Sequence, residues 1–112
     1  MPELEVLFCD DDPEVREALL ESFRIEGLAV RAFEGAEALI AVVDPQATQV
    51  VLSDVRMPGV DGFALLARLQ AIDPDIPLIL LTGHGDVPLA VQALRQGAWD
   101  FIEKPADPLV RS

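Results

Sequence analysis

Short apolar runs alternate along this chain with longer segments in which apolar residues recur every three or four positions. Five runs have the length and the aliphatic content of strands, at residues 4–9, 28–33, 50–53, 78–81 and 99–102. The third is almost entirely apolar, as a buried strand is, whereas the second alternates its side chains as a less buried strand does. The pattern predicts strands of unequal burial within one sheet.

Four helices are predicted between these strands, each with a capping residue at its start or a breaker at its end. The first, third and fourth helices follow Asp12, Asp61 and Asp86 and end near Gly27, Asp73 and Gly97, and the second is expected over residues 35–43, before Asp44. Strands that alternate with helices of about ten residues predict right-handed βαβ units and a parallel sheet. The layout is (βα)5 with helices on both faces. We expect the fifth helix to be truncated or missing, because only residues 106–112 remain to build it.

Polar residues follow four of the predicted strands directly. They are Asp10, Asp11 and Asp12 after the first strand, Asp54 after the third, Thr82 after the fourth and Lys104 after the fifth. The carboxyl ends of parallel strands share one edge of the sheet, where open α/β sheets bind ligands. Carboxylates, a hydroxyl and an ammonium group gathered at one edge suit a divalent cation and a phosphoryl group.

The carboxylates of Asp10, Asp11 and Asp54 would oppose each other's ionisation unless a cation lay between them. Mg²⁺ is the expected companion, because it takes oxygen ligands in octahedral geometry. A carboxylate beside Mg²⁺ can attack phosphorus and form an aspartyl phosphate. Lys104 would neutralise charge on the phosphoryl oxygens, and Thr82 could donate a hydrogen bond to one of them. Asp12 is better explained as a helix cap than as a ligand.

Length and charge narrow the class of protein. The chain of 112 residues is expected to form one domain, residues 1–112, and 51% hydrophobic residues fit a globular protein. Its net charge of −12 opposes direct binding to nucleic acid or to anionic membranes. No apolar run approaches the about 18 residues of a membrane-spanning helix, and the first residues lack the basic region of a signal peptide. The lone Cys9 is expected to be a buried hydrophobe in a reducing compartment, so we expect a cytoplasmic protein.

From about residue 4 to residue 105 the chain resembles the receiver domain of bacterial two-component response regulators. The resemblance rests on the acidic residues 10–12, the stretch SDVRMPGVDG at 53–62, TGHGD at 82–86 and the Lys-Pro pair at 104–105. The stretches TGHGDVPLAVQAL and GAWDFIEKP are most similar to receivers of transcriptional regulators, in particular those of C4-dicarboxylate transport and of nitrogen fixation. The resemblance implies a flavodoxin-like, doubly wound parallel sheet with strand order 2-1-3-4-5.

The resemblance also implies a phosphoacceptor and a metal site. Asp54 would take a phosphoryl group from a phosphohistidine on a sensor histidine kinase. Asp11 and Asp54 would be direct Mg²⁺ ligands together with the backbone carbonyl of Arg56, whereas Asp10 would act through water. Lys104 would bind the phosphoryl group, and the peptide bond after it is cis in the family.

Four residues would have roles in switching or in phosphoryl lifetime. By the same resemblance, Thr82 is the switch hydroxyl and Phe101 the aromatic side chain that follows its movement. Arg56 and His84, each two residues beyond a site residue, lie where the family tunes the lifetime of the phosphoryl group. An ordinary core aromatic at Phe101 and an exposed loop histidine at His84 remain alternatives.

We therefore expect a phosphorylation-activated signalling domain without turnover of an external substrate. Its surface of helix 4 and strand 5 would control dimerisation and a DNA-binding or σ-factor-dependent effector outside this chain. A Mg²⁺-dependent aspartyl phosphatase would need a second Asp where Arg56 stands. A flavodoxin-type cofactor binder would need a loop rich in Ser, Thr or Gly after strand 1, where this chain is acidic. A degenerate receiver, acting only as an interaction module, is disfavoured because every required group is present.

Overall fold

Strands and helices alternate strictly in the computed structural model, which describes residues 4–57, 59–83 and 86–103. The strands are β1 (Glu5–Cys9), β2 (Ala29–Phe33), β3 (Gln49–Asp54), β4 (Leu78–Thr82) and β5 (Asp100–Glu103). The helices of this part of the chain are α1 (Pro13–Ile25), α2 (Ala36–Ile40), α3 (Gly62–Ile72) and α4 (Val87–Arg95). The predicted alternation is confirmed. No helix within the described ranges is long and apolar enough to cross a membrane.

The strands form one parallel sheet in the order β2-β1-β3-β4-β5, which confirms the predicted doubly wound arrangement. Its register sets the strand ends side by side: Cys9 at the end of β1 lies opposite Ser53 in β3. Asp54 lies opposite Leu81 in β4, and Thr82 lies opposite Glu103 in β5. The residues that end β1, β3 and β4 are therefore neighbours at one edge.

The sheet is covered on both faces, but unequally. On one face Leu7, Val51 and Leu80 form a buried core with residues of α2, α3 and α4. On the other face Phe8 and its buried neighbours pack against partly buried side chains of α1. No residue of α1 is fully buried, in contrast to α3. Among the described helices, α1 alone packs against this second cluster. Its contacting side chains, Leu19 and Phe23, are only partly buried.

Two predicted boundaries differ from those of the structure. Helix α2, expected over 35–43, ends at Ile40, because Val42 and Val43 make short-range turn bonds to the carbonyls of Leu39 and Ile40. Strand β5 begins one residue later than expected: Trp99 precedes it, with 72% of its surface exposed. Residues 106–112, where we expect the fifth helix to be truncated or missing, and the Lys-Pro bond at 104–105 lie outside the described residues.

Toward the opposite edge of the sheet, near the amino ends of the strands, three polar side chains are joined by hydrogen bonds. Glu5 Oε2 accepts from Arg31 Nε over 2.9 Å, and Glu5 Oε1 accepts from Gln49 Nε2 over 2.8 Å. Gln49 Oε1 in turn accepts the amide hydrogen of Asp44. Hydrogen bonds from Gln49 and Arg31 hold the pKa of Glu5 below its usual value, despite a small opposing effect of burial.

This network predicts a loss of stability in acid. Because the folded state lowers the pKa of Glu5, its contribution is present above the unfolded pKa and is lost as the pH falls through the folded one. We expect Glu5→Gln to make the urea midpoint less dependent on pH between neutrality and about pH 3. Glu21→Gln, on the exposed side of α1, is the control. Equal acid slopes for wild type and Glu5→Gln would contradict the expectation.

Candidate functional site

Three carboxylates meet at the carboxyl edge of the sheet. Asp10 and Asp11 directly follow β1, and Asp54 ends β3, so the pairing of these two strands brings them together. One oxygen from each carboxylate lies within 4.8 Å of the other two. Asp10 and Asp54 are buried, whereas Asp11 is exposed. We call this group the carboxylate cluster; its oxygens are ligands of the kind that Mg²⁺ prefers.

The turn after β1 is fixed by the acids themselves. Asp10 Oδ1 accepts the amide hydrogen of Asp12 over 2.9 Å, and the Asp10 carbonyl accepts from Arg16 Nη1 over 2.8 Å. Asp12 Oδ1 accepts the amide hydrogen of Glu14 and caps α1, as predicted. Asp12 therefore has a structural role, while Asp10 and Asp11 contribute to the cluster.

The loop after Asp54 is tied to the sheet at both ends. The Arg56 amide donates to Asp54 Oδ1 over 3.3 Å, and the Gly62 amide donates to the Val55 carbonyl over 2.9 Å. Asp61 caps α3 by accepting from the Ala64 amide, as predicted. This places the start of α3 next to β3, the strand that carries Asp54.

Gly62 is a site residue that sequence reasoning missed. A Cβ at this position would lie 3.0 Å from Leu80 Cδ2 and 3.1 Å from both the Asp54 carbonyl oxygen and Val55 Cα. Its position immediately after the capping residue Asp61 was the only signal in the sequence. The absence of a side chain lets α3 approach the strand that carries Asp54.

A buried polar pair lies beneath Asp54. Ser53 Oγ donates to the Asp54 carbonyl over 2.9 Å, and Cys9 Sγ donates to Ser53 Oγ over 3.3 Å. Burial raises the pKa of the Cys9 thiol to about 11, so this group is a neutral thiol near neutral pH. The expectation of a buried, structural cysteine is confirmed.

The hydroxyl of Thr82 is buried at the end of β4, the strand that pairs with β3 and Asp54. Thr82 ends β4, is fully buried, and its Oγ1 has no hydrogen-bond partner among the residues the structure describes. A buried hydroxyl is costly without a partner, which suits a group that donates to a ligand oxygen. Phe101 is partly buried on β5, opposite Leu80, and packs against the main core.

Arg56 reaches from the site to the start of α4. Its Nε lies 2.8 Å from Asp86 Oδ1, and the side chains are 70% and 15% exposed, respectively. Asp86 stands at the N-cap position of α4 but makes no capping bond, so its predicted capping role is wrong. Its carboxylate is engaged by Arg56, and its backbone angles, φ −97° and ψ 4°, are not the extended ones of a cap. Sequence reasoning missed this pairing.

An open cavity of about 370 Å³ adjoins the cluster and is lined by Asp11, Arg56, Met57 and Asp61. Asp11 is the member of the carboxylate cluster that borders this cavity. Lys104 and His84, also predicted for this site, lie outside the described residues.

Comparisons with known proteins agree with this geometry. The family model described as the response regulator receiver domain matches residues 6–110. The C4-dicarboxylate transport transcriptional regulatory protein DctD of Rhizobium meliloti is 47% identical over 109 residues, which cover 96% of this chain and 24% of DctD. The transcriptional regulatory protein FixJ of Bradyrhizobium diazoefficiens is 45% identical over 100 residues, 89% of this chain and 49% of FixJ.

A solved structure shows the same fold. The crystal structure of FixJ-N superposes with a TM-score of 0.85 at 40% identity, covering 99% of this chain and 89% of that one. The chain thus spans about a quarter of the length of DctD and most of FixJ-N. The sheet order, the edge that carries the carboxylate cluster and the matched residues agree: the chain belongs to the response regulator receiver domain family.

Proposed function

We propose that this domain, residues 1–112, is the phosphoacceptor of a phosphorelay and that Asp54 takes the phosphoryl group from a sensor histidine kinase. The observation that carries the proposal is the carboxylate cluster around Asp54, at the ligand-binding edge of a receiver fold. The hydroxyl of Thr82, which has no hydrogen-bond partner within the described ranges, supports a phosphoryl ligand. An acidic domain of this kind acts in the cytoplasm, without binding nucleic acid itself.

The residues of the cluster fit Mg²⁺. Their oxygens lie within 4.8 Å of one another, and two of the three acids are buried, which suits a cation that offsets their mutual repulsion. Asp11 and Asp54 would hold the ion with the backbone carbonyl of Arg56, and Asp10 would act through water. When bound, the ion supplies positive charge to the phosphoryl oxygens as a Lewis acid.

Phosphoryl transfer would use a carboxylate oxygen of Asp54 as the nucleophile. The phosphorus–nitrogen bond of the donor phosphohistidine breaks as the new phosphorus–oxygen bond forms, and the released imidazole takes a proton from solvent. Thr82 Oγ1 and Lys104 would stabilise charge on the transferred group. Attack of water on phosphorus later returns the carboxylate and releases phosphate, so only the domain itself is modified and no external substrate is turned over.

The output surface would be formed by α4 and β5. Exposed apolar residues lie there, including Val91, Trp99 and Ile102, with exposures of 39%, 72% and 51%. As Thr82 moves toward the phosphoryl group, the ring of Phe101 would fill the space behind it and alter this surface. Dimerisation through α4 and β5 would then control a DNA-binding or σ-factor-dependent effector outside this chain, since DctD and FixJ are transcriptional regulatory proteins. Arg56 and His84 would tune how long the phosphoryl group lasts.

Acetyl phosphate tests the proposed function directly. We expect intact-mass measurement to show a gain of one phosphoryl group per chain in the presence of Mg²⁺. The gain should disappear when a chelator removes the metal, because the carboxylates and the incoming phosphoryl group then repel each other. A wild-type chain that takes no phosphoryl group with Mg²⁺ present would refute the proposal.

Asp11→Asn should weaken Mg²⁺ binding. The variant removes one charged ligand, and we expect the dissociation constant to rise by at least about tenfold. Calorimetric titration with Mg²⁺ measures this, and the thermal stabilisation by Mg²⁺ should fall accordingly. Asp12→Asn is the matched control, because asparagine caps α1 as well as aspartate does. Equal Mg²⁺ affinities in the two variants would contradict the assignment of Asp11.

A further inference from the structure

We propose that the Arg56–Asp86 pair holds the start of α4 in the resting domain and opens when a phosphoryl group on Asp54 draws Arg56 away. The pair would thereby couple the acceptor to α4 by a route separate from Thr82 and Phe101. This inference rests on the proposed role of Asp54 as phosphoacceptor.

Arg56 contacts both ends of the proposed coupling. Its amide donates to Asp54 Oδ1 over 3.3 Å, and its guanidinium Nε donates to Asp86 Oδ1 over 2.8 Å. One residue thus joins the acceptor carboxylate to the first residue before α4. Its side chain is 70% exposed, so no packing fixes the guanidinium against Asp86.

Asp86 does not make the capping bond that aspartates at the same position make before two other helices of this chain. Asp12 and Asp61 occupy the same position before α1 and α3, and each accepts a backbone amide hydrogen over 2.9 Å. Asp86 has the same residue type and place but bonds to Arg56 instead. The first turn of α4 therefore lacks a side-chain cap while the pair is closed.

The interior of α4 packs through small or partly buried side chains, and its Leu89 and Leu94 are partly buried against the main core. Its fully buried residues are Ala90 and Ala93, which bury far less apolar surface than the buried leucines of α3. At its far end, Gln70 Nε2 donates to the Gln96 carbonyl over 2.8 Å. With alanines at its fully buried positions and a polar tie at each end, the helix would shift when one of these ties breaks.

A phosphoryl group on Asp54 supplies a stronger partner for Arg56. It carries a charge of about −1.5 to −2 and three acceptor oxygens in place of the single charge of the Asp54 carboxylate, whereas Asp86 offers one carboxylate. A guanidinium binds such oxygens through several donors at once. Once Arg56 turns to the phosphoryl group, Asp86 is released and can cap α4, as Asp12 and Asp61 cap their helices. The Asp86 carboxylate therefore has two alternative partners, which are Arg56 in the closed pair and a backbone amide of α4 in the capped helix.

The test follows the amide resonances of residues 87–95 by ¹H–¹⁵N NMR, in the unmodified protein and after loading with beryllofluoride and Mg²⁺. Asp86→Ser keeps a residue that can cap a helix but is too short to reach Arg56. Arg56→Gln frees Asp86 by the opposite change. We expect both to move the unmodified α4 resonances along the line toward their loaded wild-type positions, as a population shift of about two- to fivefold. The double variant should move them no further than either single one.

Arg68→Gln and Asp75→Asn are the controls, because they remove the same charges as Arg56→Gln and Asp86→Ser at exposed positions. They should leave the α4 resonances unmoved. The proposal is overturned if the Arg56 and Asp86 variants behave like these controls, or if their effects on the unmodified resonances add in the double variant. It is also overturned if the two effects are still non-additive after loading, because the pair should then be open. Acetyl phosphate and mass measurement separate the two claims. A wild-type chain that takes no phosphoryl group refutes the proposed function and the release step, while the resonances of the unmodified variants still decide whether the pair holds α4.

Discussion

Replacing Asp54 by asparagine is expected to abolish phosphoryl incorporation from acetyl phosphate. An amide cannot take the place of the carboxylate as nucleophile, and no acyl phosphate can form on it. The substitution preserves the shape of the side chain, and its Oδ1 can still accept the Arg56 amide hydrogen. The variant should therefore remain folded while its reactivity is lost, which distinguishes removal of the acceptor from damage to the site.

Intact-mass measurement after incubation with acetyl phosphate and Mg²⁺ tests whether Asp54 is the residue that takes the phosphoryl group. Asp12→Asn serves as the control, because it makes the same chemical change at the residue next to the cluster and leaves a competent helix cap. We expect one phosphoryl group in the wild type and in Asp12→Asn, and none in Asp54→Asn. Undiminished incorporation in Asp54→Asn would show that another residue is the acceptor.

Gly62→Ala is expected to lower both stability and phosphorylation. The new methyl group would lie 3.0 Å from Leu80 Cδ2 and 3.1 Å from the Asp54 carbonyl oxygen, so α3 or β3 must move. Overpacking of this kind costs about 1–3 kcal/mol of the free energy of unfolding. Because one of the crowded atoms belongs to Asp54, the displacement should also slow phosphoryl incorporation.

Urea unfolding and the initial rate of acetyl phosphate incorporation measure these two effects. Gly35→Ala, at the start of α2, introduces the same methyl group where no atom lies within 4 Å. We expect that control to cost at most about 1 kcal/mol and to phosphorylate at the wild-type rate. If Gly62→Ala matched it in both measurements, the close approach of α3 to the acceptor strand would be unimportant.

The carboxylate cluster shows how far sequence reasoning reaches in this fold. Asp54 lies more than forty positions from Asp10 and Asp11, yet these residues all follow or end apolar runs that are typical of strands. Parallel pairing places such ends at one edge, so convergence follows from the pattern once β1 and β3 are neighbours. Helix α2 shows the opposite case, because Val42 and Val43 suited a helix by their spacing but fold into tight turns.

The sequence by itself determined the order of strands and helices and the chemical groups at the strand ends, because periodicity and capping are local properties of neighbouring residues. Only the tertiary structure decided which partner each polar group has. Asp86 looked like a cap, but Arg56, 30 positions away, engages its carboxylate. Gly62 had no role assigned from the sequence, but the strand beneath leaves little room for a side chain there. Such competition between local and distant partners depends on distances that exist only after the chain has folded.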